Sequence, residues 1–522
     1  MCFLIAVSVF FCSVLNFAGL ASVFPLLKRV IEGSGDTKGT MLLMAAVLLF
    51  IVLKNLAIVG LTRLQTNFLL RQFKHFSFQL FCRYYHKGLL FIRDNGAVKL
   101  TNDVNTLCLM FSVNVMQSVL IIAGEGLLVF LVLAALFYML PLAAAYLVVS
   151  SLPLILFYVF VVKKKVRAYG KADLEARRNQ ARTVVETFRG YAELEISNAF
   201  SNQLNRFENG IDTINDSRKR LELIHAVPSL LSEVAVVLGI SLLLVVQDGN
   251  QMLSGGIFAL AAFRLMPAIR SMLNCWTTLQ QSAYSVETLE KEMHESLTAE
   301  NETDRLEFKE EFRLEDATFA YSEDQPVFDH FNCSIRKGEC VGIQGASGAG
   351  KTTLFNVMLG FFPLQGGRIV IDGKPLTLSN RKAWHQIVGY VPQEIFILQA
   401  SLADNVALGS PQVDRKRILE VLEQVQLKDF VDSLPDGIDT SLGEAGGRLS
   451  GGQKQRLGIA RALYKKAEVL FFDEATSSLD NQTELEINKT LHKLSEEQKE
   501  LTMVIIAHRQ TSLSFCDRII SV

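Results

Sequence analysis

Residues 345–352 read Gly345-Ala346-Ser347-Gly348-Ala349-Gly350-Lys351-Thr352, a glycine-rich loop closed by a lysine and a hydroxyl. Glycines at this spacing let backbone N–H groups turn toward an anion, and the lysine then reaches the outer phosphate oxygens. The threonine beside it is a ligand for Mg²⁺. Much further along, the apolar run Val469-Leu470-Phe471-Phe472 ends in Asp473-Glu474. Asp473 is placed to hold a dication through water, and Glu474 to polarise an attacking water. Together these residues specify hydrolysis of a nucleotide phosphate.

Such groups work only if the backbone aims them. Cys340-Val341-Gly342-Ile343 reads as a short buried strand, and a helical pattern follows Thr352, so the loop sits between strand and helix. The helix N-terminus adds its partial positive charge to the phosphate site. A second buried strand, 469–472, delivers the carboxylates at its end. These elements require an α/β domain.

Only part of the 522-residue chain has that character. Half of all residues are hydrophobic, and they are unevenly placed: residues 1–27 and 126–162 carry no charge, and 223–263 carry only Glu233 and Asp248. Basic and acidic residues balance at 52 and 53, so no global field points to nucleic acid. The eight cysteines form no CxxC pair and read as small buried hydrophobes.

About 20 apolar residues in a helix cross a hydrocarbon core of about 30 Å. Six segments qualify: 2–27, 39–62, 113–137, 140–162, 223–247 and 250–275. A tight turn at Tyr138-Met139-Leu140-Pro141 separates the third from the fourth. Lys and Arg crowd the segments after spans 2 and 4, the latter opening Lys163-Lys164-Lys165-Val166-Arg167, which makes these two long loops cytoplasmic. Their helix-favouring composition predicts spans that continue as helices beyond the membrane.

Lys54, Glu125, Glu233 and Arg264 fall about 18–22 Å below the outer ends of their spans, and Arg270 lies further in. Facing lipid, each would cost about 2.5–3.5 kcal/mol. They therefore face one another, as Lys54 with Glu125 or Glu233 with Arg264, or face substrate. Arg264 and Arg270 flank the helix-kinking Pro267, and a guanidinium suits bidentate contact with phosphate.

Between the two phosphate motifs stands Leu449-Ser450-Gly451-Gly452-Gln453. With it, the soluble half resembles the nucleotide-binding domain of ATP-binding cassette transporters, whose signature is LSGGQ. The resemblance covers residues 312–522. It implies ATP and Mg²⁺ as cofactors, with residues 345–352 and Thr353 around the phosphates and Tyr321 stacked on adenine. It further implies Gln393 as the Q-loop residue near metal and water, Asp480 in the D-loop and His508 as the switch histidine. Catalysis then rests on Glu474, His508 and Gln393, and Mg²⁺ on Thr352, Gln393 and Asp473. In that family two cassettes pair head to tail, so that Leu449, Ser450, Gly451, Gly452 and Gln453 of one complete the phosphate site of the other.

Six spans and one complete cassette imply a homodimer. The fold class expected is an α-helical six-span transmembrane domain of the type I exporter kind plus an α/β P-loop nucleotide-binding domain with an α-helical subdomain. Their extents are 1–286 and 311–522, with a linker over 287–310. By similarity, coupling helices lie near Phe91–Gly96 and Phe188–Glu195, and Gly443–Arg448 resembles the exporter contact to them. Gly255–Pro267 looks similar to the matching helix of bacterial lipid-linked oligosaccharide flippases, where basic residues contact pyrophosphate, a role for Arg264 and Arg270.

The function expected is ATP-driven export or flipping from the cytoplasmic side of a bacterial inner membrane. The cargo is amphipathic or lipid-linked, with a polyprenyl-pyrophosphate oligosaccharide as the leading candidate. The alternatives are drug, lipid or peptide export, or an ATP-gated channel. Against the family pattern, the chain begins inside span 1 and ends at Ile519-Ile520-Ser521-Val522, short of a last strand and helix, which reads as a shortened sequence.

Overall fold

The structure is a computed structural model; it describes residues 2–31, 37–246, 251–295, 306–322, 325–346, 348–443, 446–474, 481–507 and 509–522. The chain divides into two compact units, Met1–Leu297 and Thr298–Val522.

The described residues of the first unit are almost all helical. Its elements are α1 (Cys2–Ala21), α2 (Phe24–Ile31), α3 (Thr37–His86), α4 (Gly88–Asn95), α5 (Ala97–Asn102), α6 (Gln117–Met139) and α7 (Pro141–Arg189), then α8 (Tyr191–Ile196), α9 (Phe200–Val246), α10 (Gln251–Gln281) and α11 (Ala283–His294). Two π-helical stretches, Asp103–Leu107 and Met110–Met116, lead into α6. Among the described residues six helical stretches are long and apolar enough to cross a membrane, and the chain is an integral membrane protein.

α3, α7 and α9 have 50, 49 and 47 residues. At 1.5 Å per residue each is about 70–75 Å long, more than twice a hydrocarbon core, so the spans do continue as helices beyond it. The turn between the third and fourth spans narrows to one residue. Leu140 leaves the helical region at φ −143°, and Pro141 opens α7, where its missing N–H breaks no hydrogen bond. Gly190, at φ −94° and ψ 25°, ends α7 before the short α8, and Gly96, at φ +74°, separates α4 from α5.

Apolar side chains of α6, α7 and α10 form the core of this unit, with Leu128, Val132 and Leu136 against Leu147, Phe258 and Leu265. Ala144, Ala261, Ala262 and Ala268 in the same cluster keep the helices close, as small residues do in membranes. Glu287, Glu290 and Glu292, at the start of the acidic, helix-leaning stretch expected as a linker, lie on α11.

The second unit holds two sheets. β1 (Glu311–Ser322), β2 (Gln325–Arg336), β4 (Gly366–Ile371) and β5 (Lys374–Pro375) form an antiparallel sheet in the order β2-β1-β4-β5. β3 (Cys340–Gln344), β6 (Val388–Val391), β7 (Val469–Asp473), β8 (Thr502–Ile506) and β9 (Arg518–Ser521) form a parallel sheet in the order β6-β7-β8-β3-β9. β7 and β8 are buried at every position, so Val469–Phe472 and Met503–Ile506 are unbroken apolar runs rather than alternating ones.

The helices of this unit are α12 (Lys351–Met358), α13 (Arg381–Ile387), α14 (Leu402–Val406), α15 (Arg415–Gln424), α16 (Lys428–Asp432), α17 (Gly451–Tyr464), α18 (Asn481–Glu497) and α19 (Gln510–Leu513). α14 to α17 pack as a helical subdomain around Leu402, Val406, Ile418, Leu422 and Leu457.

Candidate functional site

β3 and β7 lie on either side of β8 and run parallel, so their C-terminal ends open on the same edge of the sheet. Ligands of open α/β sheets bind at that edge. There the loop after β3 meets the carboxylates that end β7.

Gly350 caps α12 in the left-handed region at φ +91°, and a Cβ there would come within 2.3 Å of Val327 Cγ1. Both conditions demand glycine. Lys351 is buried, and its ammonium donates to the carbonyls of Gly345 at 3.1 Å and Ala346 at 2.9 Å, across the loop. Thr352 Oγ1 donates to Asp473 Oδ1 at 3.1 Å. Asp473 is only 3% exposed, and burial pushes its carboxyl above the ordinary range; the hydrogen bond from Thr352 pulls the other way. A hydroxyl and a buried carboxylate side by side are the hard oxygen donors that suit Mg²⁺, and a dication held there would favour the charged carboxylate against its burial. These residues fit the ion.

Glu474 follows at φ +48°, a conformation that costs a non-glycine residue about 1–2 kcal/mol. Its N–H is held by the Ile506 carbonyl at 3.0 Å, so β8 fixes the turn that aims this side chain. Gln393 is exposed just beyond β6, and Gln455 Nε2 on α17 donates to its carbonyl at 2.8 Å. Tyr321 is 47% exposed, its ring edge-on to Phe319 and Phe362, and its hydroxyl is 2.7 Å from Thr353 Oγ1 on α12. The expected adenine platform is therefore bonded to the phosphate-loop helix.

Ser450 caps α17 reciprocally with Gln453: the Gln453 N–H donates to Ser450 Oγ at 3.2 Å, and the Ser450 N–H to Gln453 Oε1 at 2.8 Å. Leu449 is buried while Ser450 and Gly451 are exposed, so the start of the helix is presented to solvent. Gly452 lies where a Cβ would meet Thr483 Cγ2 at 2.4 Å. Gly348 takes φ +83°, with Ala349 bonded back to Ala346 in a turn. Ser347, Asp480 and His508 lie outside the described residues, as do Glu444 and Ala445.

One neighbour escaped the sequence reading. Tyr390 on β6 places its hydroxyl 3.4 Å from Asp473 Oδ2, and burial, with the Asp473 charge, raises its pKa. Its position near the end of a strand running into Gln393 is the signal that marks it.

In the membrane unit the expected pairings are corrected. Arg264 lies 3.8 Å from Glu125 instead of Glu233, and Lys54 donates to Asn16 Oδ1 at 3.2 Å instead of pairing with Glu125. Helix packing, not depth alone, chooses the partner: α10 packs on α6, whereas Lys54 of α3 meets α1. Glu125 also lines a cavity of about 160 Å³ with Cys12, Ser13, Asn16, Thr62 and Gln65. Glu233 and Arg270 are exposed in the single chain.

The ABC transporter family model matches residues 328–477, the stretch from β2 past the Asp473-Glu474 pair. The ATP-dependent lipid A-core flippase of Cupriavidus pinatubonensis is 30% identical over 459 residues, 85% of this chain and 76% of that protein. This chain belongs to the ABC transporter family. The flippase of the same name from Ralstonia nicotianae is 29% identical over 380 residues, 71% of this chain, and the match spans 64% of that relative's length. The fold of this ABC transporter is that of an exporter half: a bacterial Atm1-family ABC exporter with ATP bound superimposes with a TM-score of 0.83 at 20% identity, covering 99% of this chain and 93% of that one.

Proposed function

We propose that the chain is one half of an ATP-driven exporter or flippase of the inner membrane, its cassette in the cytoplasm, working as a homodimer that moves a phosphate-bearing lipid outward. The observation that carries this reading is the joining, in one chain, of six membrane helices to a buried site where Lys351, Thr352 and Asp473 converge.

In this reading the loop amides from Gly345 to Gly350 and Lys351 cradle the β- and γ-phosphates of ATP, and Tyr321 carries the adenine. Thr352, Asp473 and Gln393 are the residues that would hold Mg²⁺, which when bound neutralises phosphate charge. Glu474 orients the water, assisted by His508. Ser450 and the glycines that follow it reach the γ-phosphate of the opposite copy, with Asp480 beside that contact. A single chain supplies only half of each site, so closure of the pair depends on ATP and hydrolysis resets it.

The relatives named lipid A-core flippases favour a phosphorylated glycolipid as cargo. Arg264 supplies a guanidinium that suits a phosphate head group, shared in the single chain with Glu125 at 3.8 Å. ATPase activity in lipid nanodiscs tests the reading, with lipid A-core and a polyprenyl-pyrophosphate oligosaccharide added separately. Stimulation by one lipid, lost in Arg264→Ala, names the cargo class. Basal ATPase indifferent to both would direct the search to drugs and peptides.

A further inference from the structure

Two cysteines far apart in sequence meet in the soluble unit. Cys340, the first residue of β3, is 3% exposed, and its thiol donates to Cys516 Sγ at 3.5 Å across a separation of 176 residues. The backbone holds them in register. The Cys340 N–H donates to Asp517 Oδ2 at 2.9 Å, the Asp517 N–H donates to the Cys340 carbonyl at 2.8 Å, and Val341 pairs with Arg518 in the parallel ladder. Closing the sulfurs to a bond needs an approach of about 1.5 Å, within reach of side-chain rotation.

We propose that Cys340 and Cys516 form a reversible dithiol–disulfide site, closed by a small anionic disulfide such as glutathione disulfide. Glu339 and Asp517, their chain neighbours, line a polar recess of about 500 Å³ together with Arg336, Lys337 and Arg518, so a recess bearing three basic side chains lies one residue along the chain from each cysteine. The hydrogen bond from Cys340 favours the Cys516 thiolate and holds its pKa down, whereas that same bond, and then burial, raise Cys340. Cys516 is also the more exposed of the two, Cys340 being buried, so Cys516 is the attacking sulfur.

The Cys516 thiolate displaces one glutathione thiolate and forms a mixed disulfide. Cys340, giving up its proton to solvent, attacks the Cys516 sulfur and expels the second glutathione. Two thiols and one disulfide yield one protein disulfide and two glutathione thiols, with no further oxidant. In a reducing compartment the pair rests as the dithiol and closes when the glutathione poise turns oxidising. The loop so closed contains the phosphate loop, the signature and both carboxylates.

The test uses the full chain in nanodiscs, incubated with glutathione disulfide, blocked with iodoacetamide and digested without reduction. Mass spectrometry is expected to find a Cys340–Cys516 linked peptide that dithiothreitol abolishes. In Cys340→Ala, Cys516 is expected to stop at the mixed disulfide and carry one glutathione, an outcome that packing alone would not produce. Full alkylation of both cysteines in the wild type, under conditions that oxidise a reference dithiol, would overturn the proposal. So would Cys516 linked to a different cysteine. Should Cys340→Ala fail to fold, the wild-type peptide decides alone.

Discussion

Thr352 Oγ1 and Asp473 Oδ1 stand 3.1 Å apart, although 121 residues separate them in the chain. One lies in the first turn of the helix after β3 and the other ends β7, and β8 alone lies between those strands. The pair is expected to bind the cation as a unit. Thr352→Ala and Asp473→Asn should each lower Mg²⁺-dependent ATPase by roughly tenfold or more, and the double variant by little beyond the worse single one. Additive losses, measured as kcat over a Mg²⁺ titration, would show that they act separately.

Lys351 and Glu474 should separate binding from turnover. Lys351→Ala is expected to weaken ATP binding by about tenfold or more, about 1.4 kcal/mol, because buried phosphate charge loses its counter-ion. Glu474→Gln keeps the shape and is expected to leave nucleotide affinity within about twofold while turnover falls by about 10²–10⁴-fold. Fluorescent-nucleotide binding and steady-state phosphate release measure the two quantities, and rapid hydrolysis by Glu474→Gln would remove Glu474 from catalysis.

Arg264 and Glu125 are an ion pair inside the membrane unit, each side chain about one quarter exposed. Glu125 Oε2 is buried with no hydrogen-bond partner, so this pair is its main compensation. Arg264→Met should destabilise the chain by about 1–2 kcal/mol by stranding a carboxylate. Adding Glu125→Gln should recover part of that loss. Thermal unfolding of the purified protein in detergent checks the cycle, and no recovery in the double variant would mean that the two side chains are uncoupled.

Ser450 has two tasks, and substitution can divide them. Ser450→Ala removes the cap of α17 and should cost about 1 kcal/mol of cassette stability, as should Gln453→Ala to a smaller degree. Ser450→Asn retains a capping oxygen on a larger side chain, so stability should hold while ATPase falls. Unchanged ATPase in Ser450→Asn would confine Ser450 to capping.

Asp372 sits at φ +46° and its carboxylate accepts from the N–H groups of Lys309, Glu310 and Glu311 at 2.5, 2.9 and 2.8 Å, pinning the start of β1. Burial works against the charge, yet the three backbone donors win and hold this carboxyl below its usual range. A folded-state pKa below the unfolded one, near about 3.9, contributes stability that is complete above that value and is lost as pH falls through the folded pKa. Asp372→Asn should therefore unfold at lower temperature than wild type at neutral pH, and the gap should close on acidification below about pH 4. A gap independent of pH would mean that the side-chain amide fails for steric reasons.

What could be read without coordinates was whatever is local. A phosphate loop is a run of adjacent residues whose types dictate its backbone, so Gly350 and Lys351 announce themselves, and β3 and β7 are apolar runs because parallel strands are covered on both faces. Membrane spans are legible for the same reason, since length and apolarity are additive along a chain. The one-residue break at Leu140 follows from Pro141, whose ring cannot continue the preceding helix.

Partnership is different, because it depends on which helix face or strand edge packing turns inward. Depth counted along the spans put Lys54, Glu125, Glu233 and Arg264 in one layer, but only the contact of α10 with α6 gave Arg264 to Glu125 and left Lys54 to Asn16. Tyr390 beside Asp473 and Cys340 against Cys516 arise likewise from strand order, β6 next to β7 and β9 next to β3. Amino-acid order determined the elements and their chemistry. The tertiary fold decided the pairs, since a side chain's neighbours across a sheet or bundle are set by the packing of apolar surfaces that the linear spacing of the residues does not encode.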